Sequence, residues 1–585
     1  MRQTIHRPFG AYQLFALIAL WLFQIQSMGQ TTGRILDLRP GGSFETMVEG
    51  LSAGDTLIVH AGTYADRGRI SITAKGTPMA PIVIRGATGE ARPVITRPAT
   101  AALQNTINIE GATYLTIKGL EIIGNGGDGI KLNSFPTFIT LEDLRIHDVD
   151  VGINFRSSMN NIVARRNEIY RTGARNGSGE GMYVGCNNAT CLVSDSLIEN
   201  NWIHDSLPGT TQGDGIEIKV GSHSNIIRDN VIYNRTYPCI FVYGTLANRA
   251  NVVEGNVMWN CLEGIYAVSD AIVRNNIIIN STLGLSLYPH AQVPVLKNIT
   301  AVNNTLIGNR TGVQIRWGGV NMVLVNNAIY SPGATAINGG GGISTGAIVR
   351  NNYVEGASTI VIDNSRFFNG GTSASTFIDT STRNFWPTAT SILLGKADPA
   401  FPPATDFNGS TRVATFDVGA YQRNSLDSNP GWAITTGFKS PLPPGPPPVS
   451  GETILDNLGV GARDATRSFT GQWCLSESAS KFRSSSLYSC GSAVNTYRWT
   501  PSISTSGFYD VYVWWSTHVN RSTNVPVTVK HAAGTSVKNY NERISGGQWV
   551  LHGRYSFIVS TGNYAEVSDI NGQAAADAIK FVRVQ

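Results

Sequence analysis

The chain has 585 residues, 42% of them apolar and only 15% charged, with 63 glycines. That composition excludes a largely disordered chain and suits turn-rich β structure better than a helix bundle. The formal net charge of +5 is too small and too diffuse for a nucleic-acid binder, yet it suits an anionic partner.

Arg2, His6 and Arg7 precede an apolar run at 14–23, "LFALIALWLF", and small residues follow at 27–29. This is the pattern of a secretory signal over residues 1–29. The run is shorter than the roughly 20 residues that cross a bilayer. The expectation is an exported chain, extracellular or periplasmic, with no membrane partner. The six cysteines fall into pairs by neighbourhood: Cys186–Cys191 around one loop, Cys239–Cys261 in adjacent repeats and Cys474–Cys490 near the C-terminus. An oxidising compartment favours disulfides over metal ligation.

Residues 44–51, "FETMVEGL", predict a short amphipathic cap helix, and "GDTLIVHAGTY" and "APIVIRG" read as first coils. From there one phrase recurs, as in "IENNWIHD", "IRDNVIYN" and "VRNNIIIN", aligning Asn167, Asn201, Asn230, Asn256, Asn276, Asn304, Asn327 and Asn352. A repeat of this length with short strands and no helical period predicts an all-β fold, a right-handed parallel β-helix with one unit per coil. The asparagines should form a ladder, each amide bonding the next turn.

A further strand aligns across the coils, as in "GIKLN", "GINFR", "GMYVG", "GIEIK" and "CIFVY". Its alternation turns apolar residues inward. One outward column is then Lys131, Asn154, Tyr183, Glu217, Phe241, Tyr266, Ser286 and Gln314, and the other includes Arg156, Gly185, Lys219, Tyr243, Tyr288 and Arg316. A wall of basic, amide and aromatic side chains suits a chain of acidic sugars: rings stack on aromatics and carboxylates pair with Lys and Arg. Asn154, Arg156, Glu217, Tyr243, Tyr266, Tyr288, Arg316 and Lys131 are the expected substrate contacts. The longest interval between asparagines, 167 to 201, places an extra loop with Cys186 and Cys191 beside Tyr183.

"GEGMYVG" followed by "GDGIEIKVGSHSNIIRDNVIYN" resembles the secreted β-helix polysaccharide lyases, especially those acting on alginate. The resemblance covers about residues 35–360. It implies β-elimination with Lys219 as the base that takes the proton α to a uronate carboxylate. Tyr183, one coil earlier, is its partner. A second assignment makes Tyr183 base and acid, with Lys219 or Arg156 clamping the carboxylate. Some relatives hold calcium on acidic residues before the lysine, here Asp214 and Glu217, but have an arginine where this chain has Tyr243. No other cofactor is implied. His204 and His223 are further candidate bases in turn regions. The rival readings are a pectate-type lyase, a mannuronan epimerase, a glycoside hydrolase and a non-catalytic polysaccharide-binding protein. A hydrolase should cluster Asp on the wall, which carries a single carboxylate.

The repeat fades after about 360, with "DVGAYQ" at Asp417 as a last expected strand, so the β-helix domain spans 30–432. A proline-rich linker follows over 433–451, containing "SPLPPGPPPVSG". Residues 452–585 then read as antiparallel strands, with "GFYDVYVWW", "GGQWVLHGRYSF" and "AADAIKFVRV". They resemble the domain shared by golvesin and xanthan lyases, which implies a β-sandwich that binds carbohydrate. Trp514, Trp515 and Trp549 are its candidate sugar platforms, at least two of them expected in the core. The whole is expected to act as a monomer on an acidic polysaccharide.

Overall fold

The computed structural model describes residues 33–423 and 452–583 apart from short internal stretches. The signal segment 1–29 and the linker 433–451 lie outside the described residues. Nearly every described element is a strand. Three short strands make one coil, for example Ile226–Arg228, Val231–Tyr233 and Ile240–Val242. Each pairs in parallel with its equivalents one coil away. Repetition builds a 14-stranded sheet and a 23-stranded sheet that takes up the other two faces. The expected inward residues, such as Ile130, Ile153, Met182, Ile216 and Ile240, fill one continuous apolar core.

The asparagines explain the corner. Arg166, Asn200, Asp229, Gly255, Asn275, Asn303, Asn326 and Asn351, each just before a ladder asparagine, have φ between 52° and 63°. Asn and Asp tolerate that left-handed backbone and glycine has no Cβ to clash. The tight corner then aims each ladder asparagine into the stack. From Asn201 to Asn352, each Oδ1 accepts the backbone N–H and side-chain amide of the preceding ladder residue at 2.9–3.1 Å.

The cap helix is Phe44–Glu49, with Ser43 accepting from the Thr46 N–H at 3.1 Å and Phe44 and Val48 buried in the same core. At the other end, the expected strand at Asp417 is absent. Residues 417–422 instead lie across the coil corners, where Asn303 Nδ2 donates to the Asp417 and Gly419 carbonyls. Side-chain amides there replace the ladder pairing that a strand would need. This tail packs Phe385, Trp386 and Tyr421 against Tyr233, Trp259 and Ile279 on one face of the helix.

Residues 452–583 form antiparallel sheets. A four-stranded one and a five-stranded one face each other across a shared core that includes Val511, Val513, Phe581, Trp499, Val527 and Val567. Only one of the three expected tryptophans is in that core. Trp515 is buried, whereas Trp514 and Trp549 are half-buried beside Phe482 and meet edge-on at 5.4 Å. Alternation along Gly507–Trp514 decides this: Tyr509, Val511 and Val513 point inward, so Trp514 points out. All three expected disulfides are formed, and among the described residues no cysteine is free.

Candidate active site

Strand register assembles the wall as the alternation predicts. Lys131 pairs with Asn154, Asn154 with Tyr183, Tyr183 with Glu217, Glu217 with Phe241, and Phe241 with Tyr266. Gly185 and Lys219 sit beside each other in the second column. Gly185 has φ +98°, and a Cβ there would stand 2.5 Å from Ser222 Oγ and 3.3 Å from Lys219 Cβ. Glycine is thus what lets the lysine lie close beside the preceding coil.

Lys219 is the centre of a buried group. Its Nζ is 2.5 Å from Glu217 Oε1 and 3.3 Å from the Tyr243 hydroxyl, which itself donates to Glu217 Oε1 at 3.0 Å. The ammonium also lies 4.8 Å from the Tyr183 ring centre and 4.6 Å from that of Tyr243. Lys219 is only 5% exposed and Glu217 3%. Arg156, exposed, lies over the Tyr183 ring at 5.2 Å. The Tyr183 hydroxyl donates to Asn187 Oδ1 at 3.1 Å, on the loop closed by Cys186–Cys191. Burial, and then the charge of Glu217, holds the Tyr183 phenol far above its ordinary range, so it is protonated at any ordinary pH. Asn154 donates to Asp128 Oδ2 at 2.9 Å, which leaves its own Oδ1 without a partner.

Several expected contacts are placed differently. Tyr243 and Tyr266 are not open sugar platforms: both stack on Phe241, at 4.0 and 4.3 Å, and are buried. Outward aromatics two residues apart on one strand, as Phe241 and Tyr243, or one coil apart, as Phe241 and Tyr266, lie within stacking distance, so they take up each other's faces. Tyr288 continues the aromatic row, 4.3 Å from the Tyr266 ring centre, with the Arg316 guanidinium 4.9 Å from its own ring centre and its hydroxyl bonded to Glu263. His204 is not in a turn but ends the strand Trp202–His204 on another face, stacked between Tyr170 and Tyr233. His223 is not in a turn either: it forms an isolated parallel bridge with Ser194 of the preceding coil and contacts Ser224 Oγ at 3.1 Å.

Sequence reasoning missed Glu180. It joins Asp214 and Glu217 in a buried triad whose ligand oxygens all lie within 4.8 Å of one another. Glu180 Oε1, Asp214 Oδ1 and Glu217 Oε2 have no hydrogen-bond partner. Three such oxygens fit one hard cation, since oxygens bound to calcium at about 2.3–2.6 Å are at most roughly 5 Å apart. Arg235, also missed and buried, fixes the two acidic turns by donating to the carbonyls of Gly179, Gly213 and Asp214. A signal for Glu180 does exist. "GEGM" at 179–182 and "GDGI" at 213–216 place an acid in the same slot of adjacent coils.

Burial, then Glu217, pushes Glu180 up to about 7, and burial with both neighbours pushes Asp214 well above the carboxylate range. A carboxyl raised in the folded state stabilises most below its unfolded value, and that contribution is lost as pH rises through the folded value. Without divalent metal, the melting temperature should therefore fall between about pH 5 and 7, with Glu180 contributing on the order of 3 kcal/mol. Calcium held by the triad would compete with those protons. It should raise the melting temperature at pH 8 and have little effect at pH 5, and Glu180→Gln should weaken both trends. Scanning calorimetry with and without calcium checks this, and an indifferent melting temperature at pH 8 removes the metal.

The fold falls in a recognised class. Residues 105–250 and 244–329 match the model described as right handed beta helix region, and residues 458–583 match the golvesin C-terminal domain. The similar proteins include lyases. A xanthan lyase of Bacillus sp. (strain GL1) is 32% identical over 152 residues, which is 25% of this chain and 16% of the relative. The chain thus spans about a sixth of that relative's length. A solved Paenibacillus xanthan lyase is 33% identical over 24% of this chain and 13% of its own, with a TM-score of 0.22. An alginate lyase from Paenibacillus sp. str. FPU-7 is 22% identical over 56% of this chain and 99% of its own, with a TM-score of 0.34.

Proposed function

We propose that the chain is an exported polysaccharide lyase that opens a uronate-containing polymer, alginate first, by β-elimination. The observation that carries this reading is the meeting of Lys219, Tyr183 and Arg156 on one wall, with the tyrosine held protonated. The reaction needs a neutralised carboxylate, a base for the proton α to it, and an acid for the leaving glycosidic oxygen. Arg156 is exposed and takes the substrate carboxylate, assisted by Asn154. Lys219 takes the α proton as the free amine, and Glu217, 2.5 Å away, holds the ammonium that results. Tyr183 gives its proton to the leaving oxygen. The upward push on its phenol speaks for the acid and against a phenolate base. A divalent ion held by Glu180, Asp214 and Glu217 would supply positive charge beside Lys219. The disulfides accord with export, and lyase is the activity named for the xanthan lyase relative.

Ultraviolet absorbance of an unsaturated uronate, screened on alginate, polygalacturonate and xanthan, tests the reading. Silence on all of them would favour a binding protein. On the polymer that responds, Tyr183→Phe should keep binding and lose at least about 100-fold in turnover, the scale of a missing acid–base group. Equal turnover would leave Tyr183 a packing residue.

A further inference from the structure

The wall is roofed at one end. After the strand Leu283–Leu287 the chain turns back along the helix axis. The Pro289 carbonyl accepts from the Tyr266 hydroxyl at 3.0 Å. His290 stands edge-on to Tyr243 at 4.7 Å, and Val293 is buried with Val220, Phe241, Tyr243 and Tyr266. His290 and Val293 exchange backbone hydrogen bonds at 3.0 and 2.8 Å, which keeps the turn tight. Gln292 then reaches the loop closed by Cys186–Cys191. Its Oε1 accepts the Asn188 N–H at 2.9 Å and its Nε2 approaches Asn187 Oδ1 at 3.4 Å.

The bridge joins segments 104 residues apart in sequence. It runs from the coil of Leu285 back to the coil of Tyr183, four strand spacings or about 19 Å. Beneath it Lys219, Tyr243 and Tyr266 are no more than 6% exposed. In the opposite direction the wall is open: Arg156 is exposed, and Lys131, Asn133 and Asn154 are partly so.

We infer that this bridge makes the groove a dead end, so that a polymer enters from the Arg156 side, stops against Phe241 and Tyr243, and is cut at a chain terminus. A chain lying across the site would have to pass where Gln292, His290 and Val293 stand. The inference rests on the lyase reading, which it deepens by giving the mode of attack.

The test follows product size on the polyuronate with the strongest absorbance, using wild type, Gln292→Ala and a variant with residues 290–293 replaced by two glycines. Wild type should release mono- to disaccharide product from the first time point, while the polymer peak in size-exclusion chromatography holds its position. The opened variant should yield oligosaccharides of intermediate length, with Gln292→Ala between the two. Unsaturated intermediate oligosaccharides from wild type at the outset would overturn the dead end and leave the lyase reading standing. End-wise release that persists in the opened variant would overturn the role of the bridge. Absence of unsaturated product from every polyuronate with wild type would overturn the lyase reading and the inference together.

Discussion

Lys219→Ala should lower turnover at least about 100-fold, the usual size of a lost proton-transfer group, and should also make the protein sensitive to alkali. The two effects have separate causes. Among the described residues, Nζ is the one cation that contacts Glu217 Oε1, the Tyr243 hydroxyl and the rings of Tyr183 and Tyr243 together. Without it, Glu217 is a buried carboxylate beside Glu180 and Asp214 with no counter-charge in contact. Breaking a buried pair from one side costs about 3–5 kcal/mol, and the loss should grow with pH as the triad is forced to ionise. Turnover of the variant should accordingly be read near pH 6, where more of the triad keeps its protons. Glu217→Gln in the Lys219→Ala background separates the causes. It removes the stranded charge, so stability at pH 8 should recover while turnover stays low. A folded Lys219→Ala protein with near-normal turnover would take the lysine out of the mechanism, and recovery of turnover in the double variant would make its role structural.

What could be read from the sequence follows from how directly each feature is encoded. The two columns of the wall depend only on strand alternation and on one coil stacking on the next. Lys131, Asn154, Tyr183 and Glu217 therefore fall in register as expected. The asparagine ladder is equally local, since each rung sits at the same corner. Exposure was harder. Alternation tells which side chains point outward but not which are open to substrate, and Tyr243 and Tyr266 are covered by Phe241 and by a turn from a later coil. Nothing periodic links Asn188 with Gln292, so the roof had no signature in the repeat. Glu180 was hidden differently: it occupies the slot before the glycine that opens the strand, where a turn is expected to be solvated, yet it is fully buried.

The largest loss of stability from a single substitution outside the wall should come from the ladder. Asn230 is fully buried and makes five contacts. Its Oδ1 accepts the Asn201 N–H at 3.0 Å and the Asn201 side-chain amide at 2.9 Å. Its Nδ2 donates to the Ile198 carbonyl at 3.0 Å and to Asn256 Oδ1 at 2.9 Å. Asn230→Ala leaves the Asn201 N–H and the Ile198 carbonyl inside the coil without this partner. Each such buried group costs about 1–3 kcal/mol, so a loss on the order of 4 kcal/mol is expected. Asn234→Gly is the matched control. Asn234 is exposed and has φ 52°, a conformation that glycine adopts freely, and it should cost less than about 1 kcal/mol. Because each coil in a solenoid is stabilised mainly by its neighbours, the damage should be local. Hydrogen exchange should accelerate in the coils carrying Asn201, Asn230 and Asn256 and stay unchanged in residues 452–583. Equal denaturation midpoints for the two variants would show that the ladder records the geometry of the corner without holding it together.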